Sequence, residues 1–309
     1  VTAFRHDIPY SIHQCFAIIT GLIIEAIPFL LLGTIGSTVI RYFVPQRILL
    51  KLLGDYSWKS YGAAMVSGLA LPVCDCAIIP LFKALTDRGV PLSVALLFML
   101  ASPIINPITI LSTWYAFPDN PMISVWRIVL GLGVALLVAL SFRFIPPSTS
   151  MMKAKTAQNL SYEEIVLEAS KSKHINKRRL LIHMEKEFSQ LLFYFSIAAC
   201  VLSVVQVYGK PWLINAGITL PDVWAIPILL ILAFFFSVCS TSDAIIGKSL
   251  STLFPMSSVM GFLILGPMLD IKNVYILKQY MPTSFILRLG LTIVVISYLT
   301  ALGFQFFLS

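Results

Sequence analysis

The sequence predicts an all-α membrane protein of about eight transmembrane helices, arranged in two halves that repeat each other. Of its 309 residues 58% are hydrophobic and only 12% are charged, and the chain contains long stretches with no charge at all. A soluble domain carries roughly 25% charged residues, and a helix needs about 20 apolar residues to cross a bilayer. The chain therefore has too little polar surface for a soluble protein, and the lipid bilayer is its expected partner.

Eight segments are apolar and long enough to count as predicted spans. Five contain no Asp, Glu, Lys or Arg, namely residues 89–118, 188–209, 223–242, 249–269 and 289–309. Three more are interrupted by one or two charged residues, namely 8–40, 61–82 and 121–145. These eight segments give the expected number of helices.

One long polar stretch, residues 146–187, divides the chain into a first membrane half (1–145) and a second (188–309). It holds eight basic and five acidic residues. Because Lys and Arg accumulate in loops that stay inside the cell, we expect this segment to be cytoplasmic and the membrane to be the inner, cytoplasmic one. The net charge of +8 has the same explanation. No basic patch lies beside base-stacking aromatic residues, so nucleic acid is not an expected partner.

The two apolar halves repeat each other at a constant offset. Five residues of the first half match five of the second at a distance of 164 positions (255 − 91 = 164), namely Pro91, Ser93, Phe98, Pro103 and Asn106 with Pro255, Ser257, Phe262, Pro267 and Asp270. Residues 76–79 read CAII and residues 243–246 read DAII, at an offset of 167. Internal duplication is common in secondary transporters, whose substrate site lies where the repeats meet.

Two segments, Cys74–Pro80 and Pro103–Pro107, are predicted to be broken or re-entrant. Prolines at positions 72, 80, 103 and 107 remove helix hydrogen bonds there. The basic loop 41–59 and the central loop both have cytoplasmic character, although three predicted spans separate them. A segment that does not cross fully would resolve that conflict, and irregular backbone at membrane depth requires a covering of protein or a water-filled cavity.

The first half carries the strongest polar motif, Cys74-Asp75-Cys76, inside an apolar segment. Thiolates select soft ions such as Zn²⁺, Cu(I) or trivalent arsenic, and a carboxylate accepts a proton or a cation. Residues two apart point away from each other on a helix, so both sulfurs reach one ligand only where the backbone is irregular. The alternative is that both cysteines are small buried hydrophobes.

Further polar groups lie in other predicted spans, where each is a functional candidate. Cys239, Ser240 and Asp243 suit coordination or proton exchange, although Ser and Thr also join helices by hydrogen bonds. Lys248 either pairs with Asp243 about one turn on or extends to the membrane interface. Glu25 is a lone carboxylate in the first span, and it is either a proton carrier or an interfacial residue.

Asn106 and Asp270 occupy equivalent repeat positions, and each follows a proline that frees backbone carbonyls. This is the pattern of a broken helix whose ends hold an ion or a substrate. The alternative is helix capping at the end of a span.

The motifs together resemble a known family. They run in order along residues 14–302 as EAIPF (25–29), PVCDC (72–76) with Pro80, SPIINP (102–107), Cys239-Ser240 with Asp243-Ala244, and GPMLDIK (266–272). This pattern is similar to a bacterial family of predicted permeases that includes organoarsenical efflux permeases. The resemblance implies about eight helices in the cytoplasmic membrane, export of trivalent methyl or aromatic arsenicals in some members, and a second membrane subunit in others. Where much of that family has Glu between the two cysteines, this chain has Asp75, which bears on the solute.

The sequence therefore predicts a permease, not an enzyme, that exports a small thiophilic solute in exchange for protons and needs no cofactor. The expected substrate-binding residues are Cys74, Asp75, Cys76, Asn106, Cys239, Ser240, Asp243 and Asp270. Cys74 and Cys76 are the expected ligands of a soft metal or metalloid, and Glu25 and Asp243 are the expected proton-exchanging groups. Two alternatives stay open: a membrane subunit of a two-component permease with a non-metal substrate, and a thiol oxidoreductase that uses Cys74 and Cys76. A second membrane subunit or further copies of the chain are open as partners.

Overall fold

The structure is a computed structural model that describes residues 46–70, 75–145, 222–236, 243–251 and 254–308, with scattered positions in 13–38 and 185–203. The central segment 146–184 lies outside the described residues. The described chain is helical and contains no strand. Its helices, in order, are α1 Gln46–Leu53, α2 Trp58–Ala70, α3 Asp75–Asp87, α4 Leu92–Ile105, α5 Pro107–Ala116, α6 Met122–Phe144, α7 Asp222–Phe236, α8 Asp243–Leu250, α9 Met256–Met268, α10 Ile271–Tyr280 and α11 Thr283–Leu308.

Within the described ranges, three helical stretches are long and apolar enough to cross a membrane. They are α6, the consecutive helices α9 and α10 taken together (Met256–Tyr280), and Thr283–Phe306 of α11. A fourth is obtained if α4 and α5, which meet at an angle of 41°, form one broken span. The predicted all-α membrane protein is confirmed. The total of eight spans stays a prediction, because only the described residues enter this comparison.

Helix α6 shows how an apolar sequence produces a lipid-facing helix. Its 23 residues extend about 35 Å, enough to cross the hydrocarbon core of a bilayer. Val125, Val129 and Leu137 are exposed on one side, and Val134 and Val138 are buried on the other. An outward face of large apolar side chains is what contact with lipid tails requires.

The repeat found in the sequence reappears in the helix boundaries. Helices α2, α4 and α5 begin at residues 58, 92 and 107, and α7, α9 and α10 begin at 222, 256 and 271. The offset is 164 in each of the three pairs (222 − 58, 256 − 92, 271 − 107). Since helices of the two halves begin at matched positions, the repeated sequence pattern corresponds to a repeated structural unit.

One of the two predicted breaks is confirmed, and of the other the structure describes only the part from Asp75 onward, which is helical. Helix α4 ends at Ile105 and α5 begins at Pro107, with Asn106 between them, as predicted. In contrast, Pro80 does not break the chain but lies inside α3, which continues to Asp87. A proline clashes with the carbonyl four residues earlier, which here is that of Cys76 in the first turn of α3.

Helices α4 and α9 form the centre of the protein. Residues 93–104 of α4 and 257–268 of α9 are all buried. A helix that is apolar on every side is suited to a fully enclosed position. The two pack against each other, and the halves also meet where α3 packs on α10, α8 on α5 and α6 on α11. Helices α3 and α8, at whose starts the predicted polar motifs lie, therefore each pack against a helix of the opposite half.

Candidate functional site

Asp243 is the first residue of α8 and is buried. A carboxylate in the first turn is stabilised by the partial positive charge of a helix N-terminus. Its Oδ2 atom accepts a hydrogen bond from Nη2 of Arg127 at 2.6 Å, and the two side chains are only 3% and 2% exposed. The backbone of α9 also approaches this carboxylate, since a Cβ added at Gly266 would lie 3.8 Å from the same oxygen.

Arg127 extends this contact into a network that joins three helices. It lies on α6, and its Nη1 donates to the hydroxyl of Thr113 on α5 at 2.5 Å. The Thr113 hydroxyl in turn donates to the Thr109 carbonyl at 2.8 Å. Helices α5 and α6 belong to the first half and α8 to the second. The network is therefore a charged, buried connection between the halves.

Sequence reasoning missed Arg127 as a functional residue and treated it only as an interruption of the 121–145 segment. An ionisable residue inside a predicted span is itself a signal of function. A second signal is the repeat, because Pro121 and Arg127 match Pro282 and Arg288 at an offset of 161 (288 − 127). Arg288 lies in different surroundings: it donates to the Ile145 carbonyl and stacks on the Phe142 ring at 4.8 Å.

Lys248, expected either to pair with Asp243 or to extend to the interface, instead pairs with Asp119 at 3.1 Å. Its ammonium also lies 5.4 Å from the centre of the Phe117 ring. The expectation of a pair with Asp243 was wrong because Arg127 of another helix occupies that carboxylate. The Lys248–Asp119 pair is exposed, so it contributes little to stability, but it joins the same two halves.

Asn106 and Asp270 both act as helix caps. Oδ1 of Asn106 accepts a hydrogen bond from the Ile108 amide at 3.0 Å, and Oδ1 of Asp270 accepts one from the Asn273 amide at 2.6 Å. Both side chains are buried. The capping alternative is thus observed at both repeat positions, and it accounts for one side-chain oxygen in each. A role in substrate binding stays a prediction.

A second buried pair of charges lies beside the Asp270 cap. Nζ of Lys272 is 3.5 Å from Oδ2 of Asp270, and the two side chains are 2% and 0% exposed. Lys272 lies in the first turn of α10, where the helix dipole disfavours a cation. Lys272 closes the GPMLDIK motif of residues 266–272, but its pairing with Asp270 was not predicted.

The side chains of the remaining predicted site residues fall outside the part of the chain that the structure describes. Glu25, Cys74, Cys239 and Ser240 lie outside the described residues, and of Asp75 and Cys76 only the backbone, at the start of α3, is described. Among the side chains that the structure does describe, no three of His, Cys, Asp or Glu are grouped so that they could hold a metal ion. The predicted thiol site therefore stays a prediction.

Comparison with known proteins gives the family. The profile of a family described as predicted permease, ArsP_1, matches residues 11–306. A Streptococcus mutans protein that carries the name of a two-component membrane permease complex subunit is 33% identical over 296 residues, which cover 92% of each chain. The UPF0718 protein YcgR of Bacillus subtilis is 31% identical over 93% of this chain and 95% of its own length.

A more distant relative matches only part of the chain. The UPF0718 protein MJ0584 of Methanocaldococcus jannaschii is 32% identical over 41% of this chain and 33% of its own length. No solved structure matches the chain at a significant level. The family profile spans nearly the whole sequence. The chain belongs to the predicted permease family.

Proposed function

We propose that this permease is a secondary transporter that exports a small thiophilic solute, such as a trivalent organoarsenical or a soft metal ion, in exchange for protons. The observation that carries the proposal is the buried ion pair of Arg127 and Asp243, which joins the two halves at 2.6 Å. Transport by alternating access requires the halves to move against each other. A charged contact between them, out of reach of water, is a connection that a proton can break.

The physical reason lies in the different chemistry of the two partners. Protonation of Asp243 removes its negative charge, whereas Arg127 does not release its own proton in a protein. The guanidinium would then lie buried without a counter-charge, and a single buried charge is strongly unfavourable. Proton binding at Asp243 would therefore separate α8 from α5 and α6. Glu25 is the second carboxylate to which we assign proton exchange.

The solute class rests on the thiols. Cys74 and Cys76 flank the start of α3, and Cys239 and Ser240 directly precede Asp243 at the start of α8. Helices α3 and α8 are repeat equivalents, and each packs on a helix of the opposite half. We therefore assign the solute to the boundary between the repeats, with Asp75, Asn106 and Asp270 as further contacts and the cytoplasmic membrane as the location.

Uptake into everted membrane vesicles tests this function. The solutes are trivalent arsenicals and divalent transition metals, each measured with and without a proton gradient. Gradient-dependent accumulation of one thiophilic solute by the native chain, lost in Asp243→Asn and kept in Lys248→Gln, is the expected result. Equal accumulation with and without the proton gradient would overturn the proton coupling. If no thiophilic solute accumulates, the proposed solute class is wrong.

A second candidate is a membrane subunit of a two-component permease, which the name of the Streptococcus mutans relative favours. Each half of the chain would then still move as described, but transport would require a partner. Co-expression with the genomic neighbours, followed by purification in detergent, separates the two candidates. Transport that appears only with a co-purifying membrane protein would support the two-component form, whereas transport by the chain alone in liposomes would exclude it.

A further inference from the structure

We propose that Asp270 and Lys272 form a further proton-binding site, in which Asp270 carries a proton during transport and Lys272 is its counter-ion. The inference rests on the proton exchange proposed above and adds a residue pair to it. Both side chains are almost completely buried, and Nζ of Lys272 lies 3.5 Å from Oδ2 of Asp270. A charge-assisted hydrogen bond between an ammonium and a carboxylate is normally about 2.7–2.9 Å long. The pair is therefore close enough to interact but looser than an optimal ion pair.

The repeat provides an internal control for what this position needs structurally. In the first half the cap is the neutral Asn106, which accepts a hydrogen bond from the Ile108 amide at 3.0 Å. Ile108 is the residue that corresponds to Lys272, at the same offset of 164. One half thus caps a helix start at the same repeat position with no charge at all, although the capped amide is two residues on in the first half and three residues on in the second. Since capping does not require a carboxylate or a lysine, the two charges of the second half call for another explanation.

The two oxygens of Asp270 have separate roles that make proton binding compatible with the fold. Oδ1 accepts the Asn273 amide at 2.6 Å and holds the start of α10, whereas Oδ2 faces Lys272. When a proton from water binds Oδ2, the carboxylate becomes a neutral acid and the pair changes from zero net charge to +1. Oδ1 remains a carbonyl oxygen and can still accept the amide. The protonated acid then resembles Asn106, and release of the proton restores the original pair.

The partner cation distinguishes this pair from the one at Asp243. There, Arg127 binds the carboxylate at 2.6 Å and is held by Thr113, and a guanidinium keeps its proton. A lysine ammonium is a compact point charge on a flexible stem with rotatable donors, so it can turn away and keep its proton when Asp270 becomes neutral. The guanidinium of Arg127, held by Thr113, has no such freedom. Proton exchange at Asp270 can occur without separating the two halves.

Other charged groups lie on the elements around α10. It packs on α3 and α11. Helix α3 carries Asp75, Lys83 and Asp87, of which the last two pair with each other at 2.5 Å, and α11 carries Arg288. Tyr275 and Lys278 lie on α10 itself. Asp87→Asn removes a carboxylate from a helix packed against α10 without touching the Asp270 cap, so it is the matched control.

Infrared difference spectroscopy on the full chain in liposomes tests the pair without any solute. Titration of the native protein should change the carbonyl stretch of a buried carboxylic acid. The component of this change that Asp270 contributes should be absent in Asp270→Asn, where only the component of Asp243 remains, and present in Asp243→Asn and Asp87→Asn. Lys272→Ile removes the counter-ion and should alter the component of Asp270. A band change that survives Asp270→Asn unaltered would overturn the inference.

The double variant Asp270→Asn with Lys272→Ile keeps the test valid if a single variant does not fold, because it copies the pair present in the first half. It should fold, and its infrared spectrum should lack the component that Asp270 contributes. Failure of this variant to fold would show that the two charges are structural and would overturn the inference. Transport provides the second readout, with phenylarsine oxide as the probe. In the double variant, gradient-driven accumulation of the probe should fall at least tenfold, while exchange of internal for external probe continues. Unchanged accumulation in that variant would contradict the role of the pair. If the native protein does not transport phenylarsine oxide, only the proposed solute class is refuted, because the infrared measurement uses no solute.

Discussion

Arg127 and Asp243 are 116 residues apart in the chain, yet their side chains form a buried ion pair of 2.6 Å between α6 and α8. Thr113 binds the other terminal nitrogen of the guanidinium, so the arginine is held from both sides. Isolated charges at this depth are unfavourable, and each partner makes the burial of the other possible. The stability of the contact between the halves therefore depends on the charge state of one carboxylate.

Neutralising one partner of this pair should destabilise the protein more than neutralising both. Arg127→Gln or Asp243→Asn leaves a buried charge without its counter-ion, which typically costs about 3–5 kcal/mol. The double variant leaves no charge and should recover part of that loss. Thermal unfolding of the detergent-purified protein measures all three. Lys248→Gln, which removes only an exposed ion pair, is the control and should change stability by less than about 1 kcal/mol.

The cap at Asn106 should require an acceptor but not a particular charge. Asn106→Ala removes the acceptor for the Ile108 amide and should cost about 0.5–2 kcal/mol. Asn106→Asp keeps an oxygen in the same place and should cost clearly less in the same unfolding assay. Equal losses in the two variants would show that the side chain contributes through packing and not through the cap.

Two glycines of α6 should respond in opposite ways to alanine. A Cβ at Gly131 would lie 2.9 Å from Cδ1 of Ile104 on α4, whereas nothing lies within 4 Å of one at Gly133. Gly131→Ala should therefore destabilise by about 1–3 kcal/mol through overpacking. Gly133→Ala should be neutral or stabilising by up to about 1 kcal/mol, because alanine favours the helix. Ile104→Val should relieve part of the Gly131→Ala defect, and its failure to do so would place the clash elsewhere.

The thiol motif should be essential for the proposed transport. Cys74→Ser or Cys76→Ser replaces a soft ligand by a hard one, so accumulation of a trivalent arsenical in everted vesicles should be abolished. Cys200→Ser changes an exposed thiol of the second half and should leave transport unaltered. Full transport by the Cys74→Ser variant would contradict the assignment of the solute to thiols.

Several features of the fold could be predicted because they depend on local sequence. The length and apolarity of residues 121–145 were enough to predict α6, and the sequence Asn106-Pro107 was enough to predict the break between α4 and α5. The proline at position 80 was misleading, because it lies inside α3 and the helix continues past it to Asp87. Proline disfavours a helix interior, but tertiary packing can override such a local preference.

The candidate site was predictable only in part, for a related reason. Asp243 and Asp270 could be recognised one residue at a time, because a carboxylate in an apolar segment is expensive wherever it lies. Their partners could not be chosen in this way. Lys248 and Lys272 are near neighbours in sequence of Asp243 and Asp270, respectively, but only Lys272 forms the local pair.

The membrane environment, the helical class, the family and the repeat of this protein follow from composition, the length of apolar segments and the order of motifs. Which charges meet depends on the tertiary structure. Arg127 reaches Asp243 because α5, α6 and α8 converge where the halves join, and that convergence results from the packing of the whole chain around α4 and α9. Contacts between distant residues are set by the packing of helices against each other, which no local pattern specifies.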